Sequence, residues 1–298
     1  MDLSIIIVNY NTKSITSNCI ESVFKYTKDL DFEIILVDNN SKDGSRVFFE
    51  QDKRIVYLYQ NENYGFGIAN NIGADVAKGD FLFFLNSDTL LNENSCVKLI
   101  DIIKNDSSIG VAGPILVDEH GIDNGSFYYL ETGDLIEKIW HSLAYNYLYK
   151  KDMVRLTKRG VLDVGFVCGA SMMMKKELFD EIDGFDSNFF MYAEEMDLQM
   201  RIKKKGLRRV TTNITTITHL RGGKKEQVLQ ASKFQICRNS LYVYARKHIK
   251  GVKFFMFRLL SFFGMLSYLL SAKAKSFTKE EKYKIFKDEI SAYKYYTR

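Results

Sequence analysis

This chain of 298 residues has a single proline, which leaves little room for a proline-rich linker and points to a compact body. Cysteine is scarce as well: Cys19, Cys96, Cys168 and Cys237 lie far apart, and without a CxxC pair they suggest neither a zinc knuckle nor a disulfide framework. They read as buried thiols. No secretory leader is expected either. The apolar run Leu3–Val8, after Met1 and Asp2, has neither the basic flank nor the length of one, so a cytosolic location is expected. With 46% apolar and 27% charged residues, disorder, a collagen-like fibre and a polytopic membrane protein are excluded. What the chain has in quantity is aromatic surface, 22 Phe and 18 Tyr. Its length allows one large domain or two moderate ones at about 150 residues each, either with a sizeable core.

The net charge of +5 is unevenly spread. Residues 226–298 carry 15 Lys and Arg against 5 Asp and Glu, whereas residues 1–225 carry 27 against 32. A slightly acidic body thus bears a strongly basic tail, and such asymmetry implies a polyanionic partner, nucleic acid or an anionic membrane leaflet. Within the tail, Phe254–Ala272 is 19 residues of mostly Phe, Leu and Met, interrupted by Arg258 and flanked by Lys253, Lys273 and Lys275. It barely reaches spanning length, and its internal Arg and basic flanks favour a segment lying in the interface of an anionic leaflet. A buried amphipathic helix or a homo-oligomer contact is the plainer alternative. The acidic body argues against nucleic acid.

Short, nearly continuous apolar runs at Leu3–Asn9, Phe32–Asp38, Ile55–Tyr59 and Phe81–Leu85 read as buried parallel strands. Helix-like stretches between them, Lys13–Tyr26, Gly44–Asp52 and Phe66–Ala77, are long enough for crossover connections. The first hundred residues therefore predict a doubly wound α/β half with ligand loops at the carboxyl ends of its strands. Further strands are expected at Ile109–Gly113, Val161–Val164 and Ala170–Met174 in a mixed sheet, with residues 118–160 as a loop or helical insert facing an acceptor. Helices are expected over Gln227–His248, Val252–Ala272 and Lys279–Tyr296.

Four patterns carry candidate chemistry. Asp38 ends a strand and opens DNNSKDG, which suits either a base or ribose site or a polar turn with a helix N-cap. Gln60–Gly73, QNENYGFGIANNIG, offers close backbone approach and a helix start that aims N–H groups at a phosphate; as a dinucleotide fingerprint it lacks the third glycine and follows the wrong strand. Phe81–Leu91, FLFFLNSDTLL, delivers Asn86, Ser87 and Asp88 at a strand end, suited to a divalent cation on nucleotide phosphates or to an Asx turn. Asp183–Arg201 places Glu194, Glu195 and Asp197 at a helix start. Asp197 and Arg201 are spaced for a structural ion pair and Glu195 is placed to take a hydroxyl proton, the plainer reading being an exposed acidic helix start that suits the helix dipole.

In their order and spacing these patterns resemble the family 2 glycosyltransferases over about residues 3–222, through VNYN at Val8–Asn11, DNNSKDG, NYGFGIANNIG, NSD at Asn86–Asp88 and the acidic cluster Glu194–Asp197. The resemblance implies an α/β GT-A fold, Rossmann-like with a mixed central sheet, over residues 1–225, followed by a helical tail over 226–298. Within the family the chain looks most like the bacterial rhamnosyltransferase branch. By position, the resemblance implies that Asn9, Tyr10, Asp38 and Asn39 hold the nucleoside, that Asn63, Gly65 and Asn70 lie along the diphosphate and donor sugar, and that Asn86 and Asp88 form the DXD-type triplet. Asp88 would bind Mg²⁺ or Mn²⁺, the one acid in a triplet that begins with Asn. Glu195 stands where the family's base, often Asp, is found, with Glu194 as the other candidate, and His219 in ITHLRGG matches a histidine that touches metal or phosphate.

The expected function is inverting transfer of a sugar, rhamnose first, from a nucleotide-diphosphate donor to a cell-surface glycan or lipid-linked acceptor. It would occur on the inner face of the cell membrane, with the basic tail against anionic lipid. A nucleotide-sugar-binding or scaffold subunit with weak turnover is the alternative, motivated by the reduced triplet. Paired carboxylates alone would also suit a glycosidase, but the nucleotide-like loops would then have no purpose.

Overall fold

A computed structural model describes residues 1–128, 158–220 and 230–270, with isolated positions at 153, 156, 279, 282, 283 and 287. Residues 129–152 of the expected insert and the bulk of the expected helix Lys279–Tyr296 lie outside the described residues. The first half runs β1 (Leu3–Asn9), α1 (Lys13–Tyr26), β2 (Phe32–Asp38), α2 (Ser45–Phe49), β3 (Val56–Tyr59), α3 (Phe66–Val76) and β4 (Phe81–Asn86). Then come β5 (Thr89–Leu91), α4 (Ser95–Asn105), β6 (Ile109–Val117) and β7 (Phe127–Tyr128). The second half contains β8 (Val161–Asp163), β9 (Phe166–Val167), β10 (Ser171–Lys175), α5 (Lys176–Glu181), α6 (Glu194–Lys204) and β11 (Arg208–His219), and then α7 (Gln230–His248) and α8 (Val252–Leu270).

The central sheet has the order β3-β2-β1-β4-β10-β6-β11-β5, with β8 added on β11. Strands β3, β2, β1 and β4 are mutually parallel; β10 runs antiparallel between β4 and β6, β11 is parallel to β6, and β5 is antiparallel to β11. Strands β7 and β9 form a separate antiparallel pair. The continuous apolar strands are explained by burial on both faces. Ile5, Ile7, Leu36 and Phe83 face a core completed by Cys19, Ile20 and Val23 of α1 and Leu99, Ile100 and Ile103 of α4. Ile6, Ile35, Val37 and Phe84 face the opposite core with Ala69 and Ala74 of α3, Phe179 of α5, and Leu198 and Ile202 of α6. Each of the Ile, Leu, Val and Phe side chains contributes about 1.5–3 kcal/mol on burial.

The longest strand, β11, was not among the expected elements, although its run RRVTTNITTITH is rich in β-branched residues. Its ladder with β6 is interrupted between Thr212 and Thr216, opposite the chain's one proline, Pro114, which has no N–H to contribute there. None of the four cysteines is in a disulfide; Cys19 and Cys96 are buried as expected, whereas Cys168 and Cys237 are half-buried. Among the described residues no helix is long and apolar enough to cross a membrane.

The topology brings the motif residues to one edge. Register pairs Asn9 with Asp38 and Val8 with Asn86, so the carboxyl ends of β1, β2 and β4 lie side by side. The antiparallel turn from β4 through β5 returns Thr89 against His219 at the end of β11. On the tail side, Tyr244 of α7 packs with Phe166, Phe189, Ala193 and Met196, and α8 packs onto α7 through Tyr242, Ala245 and Phe257.

Candidate active site

The loop after β2 is built by side chains turned inward. Asn9 donates from Nδ2 to Asp38 Oδ2 at 2.9 Å and to Ser41 Oγ at 3.0 Å, while its Oδ1 accepts from Thr12 and Thr16. Asp38 Oδ1 accepts the Ser41 N–H at 2.7 Å, and Oδ2 also takes the Tyr57 hydroxyl at 3.1 Å. Both Asn9 and Asp38 are fully buried, so in this arrangement they shape the loop from beneath. Tyr10 is the member of the expected nucleoside set that faces solvent, 46% exposed. Asn39 is buried, donating to the Gly65 carbonyl at 2.9 Å and leaving its own buried Oδ1 without a partner.

At the start of α3, Asn63 Oδ1 accepts the Gly65 N–H at 3.0 Å, and Asn70 turns its amide back to the Phe66 carbonyl at 3.0 Å. Gly65 has φ +84° and ψ −172°, a region open essentially to glycine alone, and a Cβ there would lie 1.9 Å from the Phe190 carbonyl oxygen. The Phe66 N–H donates to that same oxygen at 2.9 Å. Asn71 fastens the other side, donating to the Phe185 carbonyl and accepting its N–H. Thus the glycine-rich segment is joined to the loop that precedes α6.

The two expected metal ligands meet: Asp88 Oδ1 lies 3.3 Å from His219 Nε2, both only partly buried, and the Leu220 N–H donates to the Asp88 carbonyl at 2.8 Å. Nδ1 of His219 is buried without a partner. A carboxylate and an imidazole at this separation could both reach one divalent cation, whose remaining positions would be left to ligands from outside the protein. No group of three His, Cys, Asp or Glu side chains forms a cage among the described residues.

The acidic helix start separates three carboxyls by environment. Glu194 is 4% exposed and its Oε2 has no partner, and burial, reinforced by the charge of Glu195, pushes its pKa well above the usual carboxylate range. The helix dipole favours an anion there by only about 0.3–1 kcal/mol, whereas uncompensated desolvation costs several, so desolvation prevails. Glu195 is half-buried, its side chain 3.3 Å from where a Cβ on Gly169 would sit. Asp197 is fully buried; although burial raises its pKa, hydrogen bonds from His248 and Lys247 and the charge of Arg201 hold it down at about 2. The expected Asp197–Arg201 pair is present at 2.8 Å.

The Glycosyl transferase family 2 model matches residues 4–183, more than half of the chain. The chain belongs to this family. Among its relatives it is 28% identical over 192 residues to the glycosyltransferase GlyG of Streptococcus pneumoniae serotype 4, covering 60% of this chain and 58% of that protein. It is 23% identical over 191 residues to the N-acetylglucosaminyl-diphospho-decaprenol L-rhamnosyltransferase of Mycobacterium tuberculosis, covering 58% and 61%. The matches thus span little more than half the length of these curated relatives. Among solved structures it resembles the mannosyltransferase PcManGT from Pyrobaculum calidifontis in complex with GDP-Man and Mn²⁺. That likeness has a TM-score of 0.58 at 14% identity, over 97% of this chain and 85% of that one. GalNAc-T7 with UDP, GalNAc and Mn²⁺ gives 0.58 at 18% identity, over 91% and 58%. The fold is accordingly GT-A, as the resemblance implied.

Within this glycosyltransferase fold, sequence reasoning missed the groups that act through others. Asn71, Ser41 and Gly169 lie inside quoted or adjacent segments, and their partners are fixed only by the tertiary structure. Lys247 and His248, which reach Asp197 from the tail, carried no signal beyond their basic character.

Proposed function

We propose that this chain is an inverting glycosyltransferase that moves a sugar, rhamnose by preference, from a nucleoside-diphosphate donor to a cell-surface glycan or lipid-linked acceptor. The observation that carries the reading is the pair of chemically distinct stations on one edge of the sheet. Asp88 and His219 stand 3.3 Å apart at one, and the unequal carboxyls Glu194 and Glu195 occupy the other. Family membership supports transfer, and likeness to a mycobacterial rhamnosyltransferase supports the sugar. Asp88 and His219 would hold Mg²⁺ or Mn²⁺, which when bound offsets the charge of the departing diphosphate. Tyr10 and Asn39 border the nucleoside over a loop braced by Asn9 and Asp38, while Asn63, Gly65, Asn70 and Asn86 flank the diphosphate and sugar.

Glu195 takes the proton of the acceptor hydroxyl as that oxygen attacks the anomeric carbon opposite the diphosphate, so one displacement inverts the centre without a covalent enzyme intermediate. Glu194, whose burial disfavours the charged form that a base needs, leaves that role to its neighbour. Residues 1–225 would form the transferase unit. The basic tail 226–298 would lie on the anionic inner face of the cell membrane, where lipid-linked acceptors are found.

The test is release of nucleoside diphosphate from a panel of nucleotide-linked rhamnose, glucose, N-acetylgalactosamine and mannose, with Mn²⁺ or Mg²⁺, with and without acceptor. Acceptor-dependent turnover of one donor is expected, and Glu195→Gln should lower it by roughly 10²–10⁴-fold while donor affinity holds. Donor binding without acceptor-dependent product would instead establish the scaffold alternative.

A further inference from the structure

The helix that bears Glu194 and Glu195 is held from behind by a set of side chains that none of the roles above uses. Asp197, in the first turn of α6, receives Arg201 Nε at 2.8 Å from its own helix, and Lys247 Nζ and His248 Nε2 at 2.7 Å each from the end of α7. Lys247 Nζ also reaches Asp186 Oδ2 at 2.7 Å in the loop ahead of α6, and His248 Nδ1 lies 3.1 Å from Lys204 Nζ two turns further along the helix. An ammonium only donates, so Nδ1 accepts from Lys204 and Nε2 carries the proton given to Asp197. Higher on α7, Ser240 Oγ donates to the Met191 carbonyl at 2.7 Å, and Tyr244 packs on Phe189, Ala193 and Met196.

These contacts converge on a strained place. Tyr192 and Ala193, immediately before Glu194, both have left-handed backbone, φ +70° and +65°, a conformation that persists only where its surroundings over-determine it. The same loop supplies the Phe190 carbonyl that abuts Gly65. We propose that Lys247 and His248 are positioning residues of the transferase: by clasping Asp197 to Asp186 and Lys204 they hold the strained entry to α6, and so fix the Glu195 carboxyl against the acceptor hydroxyl. The proposal rests on the transfer reading above. It makes α7 part of the frame of the active site, since a base displaced by about 1 Å can lose on the order of 10²-fold in rate.

The experiment compares full-length K247M and H248A with the conservative K247R and H248Q, whose side chains keep a cation and an N–H within reach of Asp197. Two readouts are taken: amide hydrogen exchange over residues 184–197 against β1, β2 and β4, and kcat against donor KM with the donor found by the panel. In K247M and H248A, exchange over 184–197 should accelerate at least tenfold with the strands unchanged, and kcat should fall roughly 10–100-fold with donor KM within about twofold. K247R and H248Q should recover most of both. Unchanged protection over 184–197, an unmoved kcat, or conservative variants as impaired as the others would each overturn the proposal. If H248A does not fold, H248Q against H248N makes the same comparison, since Asn stops short of Asp197. Should the wild-type protein turn over no donor, the transfer reading fails by itself, and the exchange comparison still decides whether α7 holds the entry to α6.

Discussion

At Glu194 and Asp197, three residues apart on one helix, the same burial has opposite outcomes because only one of them is given partners. Glu194 has its pKa raised, so the stability it confers is full below the unfolded carboxyl value of 4.5 and is lost as pH rises through its higher folded value. Asp197 is lowered to about 2 from 3.8, so its contribution, about 2 kcal/mol, is present above pH 4 and drains as pH falls towards 2. Glu194→Gln should therefore melt higher than wild type by a margin that widens as pH rises above 4.5. Asp197→Asn should be destabilised at neutrality by roughly 3 kcal/mol and lose the acid-side slope. A margin that shrinks with rising pH would mean that Glu194 is ionised in the folded protein. At the metal site proposed above, Asp88→Ala should weaken binding of nucleoside diphosphate with Mn²⁺ by roughly 10-fold or more without moving the melting temperature. Unchanged affinity in calorimetric titration removes Asp88 from that site. The identity of these carboxyls was legible in the sequence, from NSD and from the acidic helix start. The opposite displacement of the Glu194 and Asp197 pKa values was not, because it depends on what covers each one.

Elements differ in how openly they announce themselves. β1, α1 and β2 coincide residue for residue with the sequence expectation, since each is a local pattern: a doubly buried apolar run, or a helical period between turn signals. β11 went unforeseen although it is the longest of the described strands, because its paired threonines show no clean two-residue alternation and serve a mixed ladder with β6, β5 and β8 that only the tertiary structure sets. The α3 entry is an intermediate case. The glycines of NYGFG suggested close backbone approach, but what approaches is the protein's own Phe190 carbonyl, from a loop 125 positions away. Gly65→Ala combines a disallowed φ with a backbone clash, so it should cost about 3 kcal/mol or more in denaturant unfolding and loosen residues 184–193 in hydrogen exchange. A midpoint within error of wild type would show that the two loops can separate freely.

For the whole molecule, the charge asymmetry legible in the sequence acquires a direction. α8 turns Phe257 and Arg258 inward onto α7 and leaves Val252, Phe255, Met256 and Phe263 exposed, beside Lys250 and Lys253. An outward row of large apolar side chains with basic neighbours is the arrangement that inserts shallowly into an anionic leaflet, each apolar group entering the acyl boundary while lysines remain at the headgroups. Because the inner face of α8 completes the packing of α7, removing the helix would disturb the body and confuse two effects; substituting only the outward residues does not. Full-length protein should float with phosphatidylglycerol-containing liposomes at low ionic strength and be released by salt, as Debye screening weakens the basic contribution. The triple variant F255S/M256S/F263S should stay behind at every salt concentration with an unchanged melting temperature. Wild-type protein that fails to float at low salt would rule out the interfacial role of the tail, and flotation of the triple variant equal to wild type would move the lipid contact away from this face of α8.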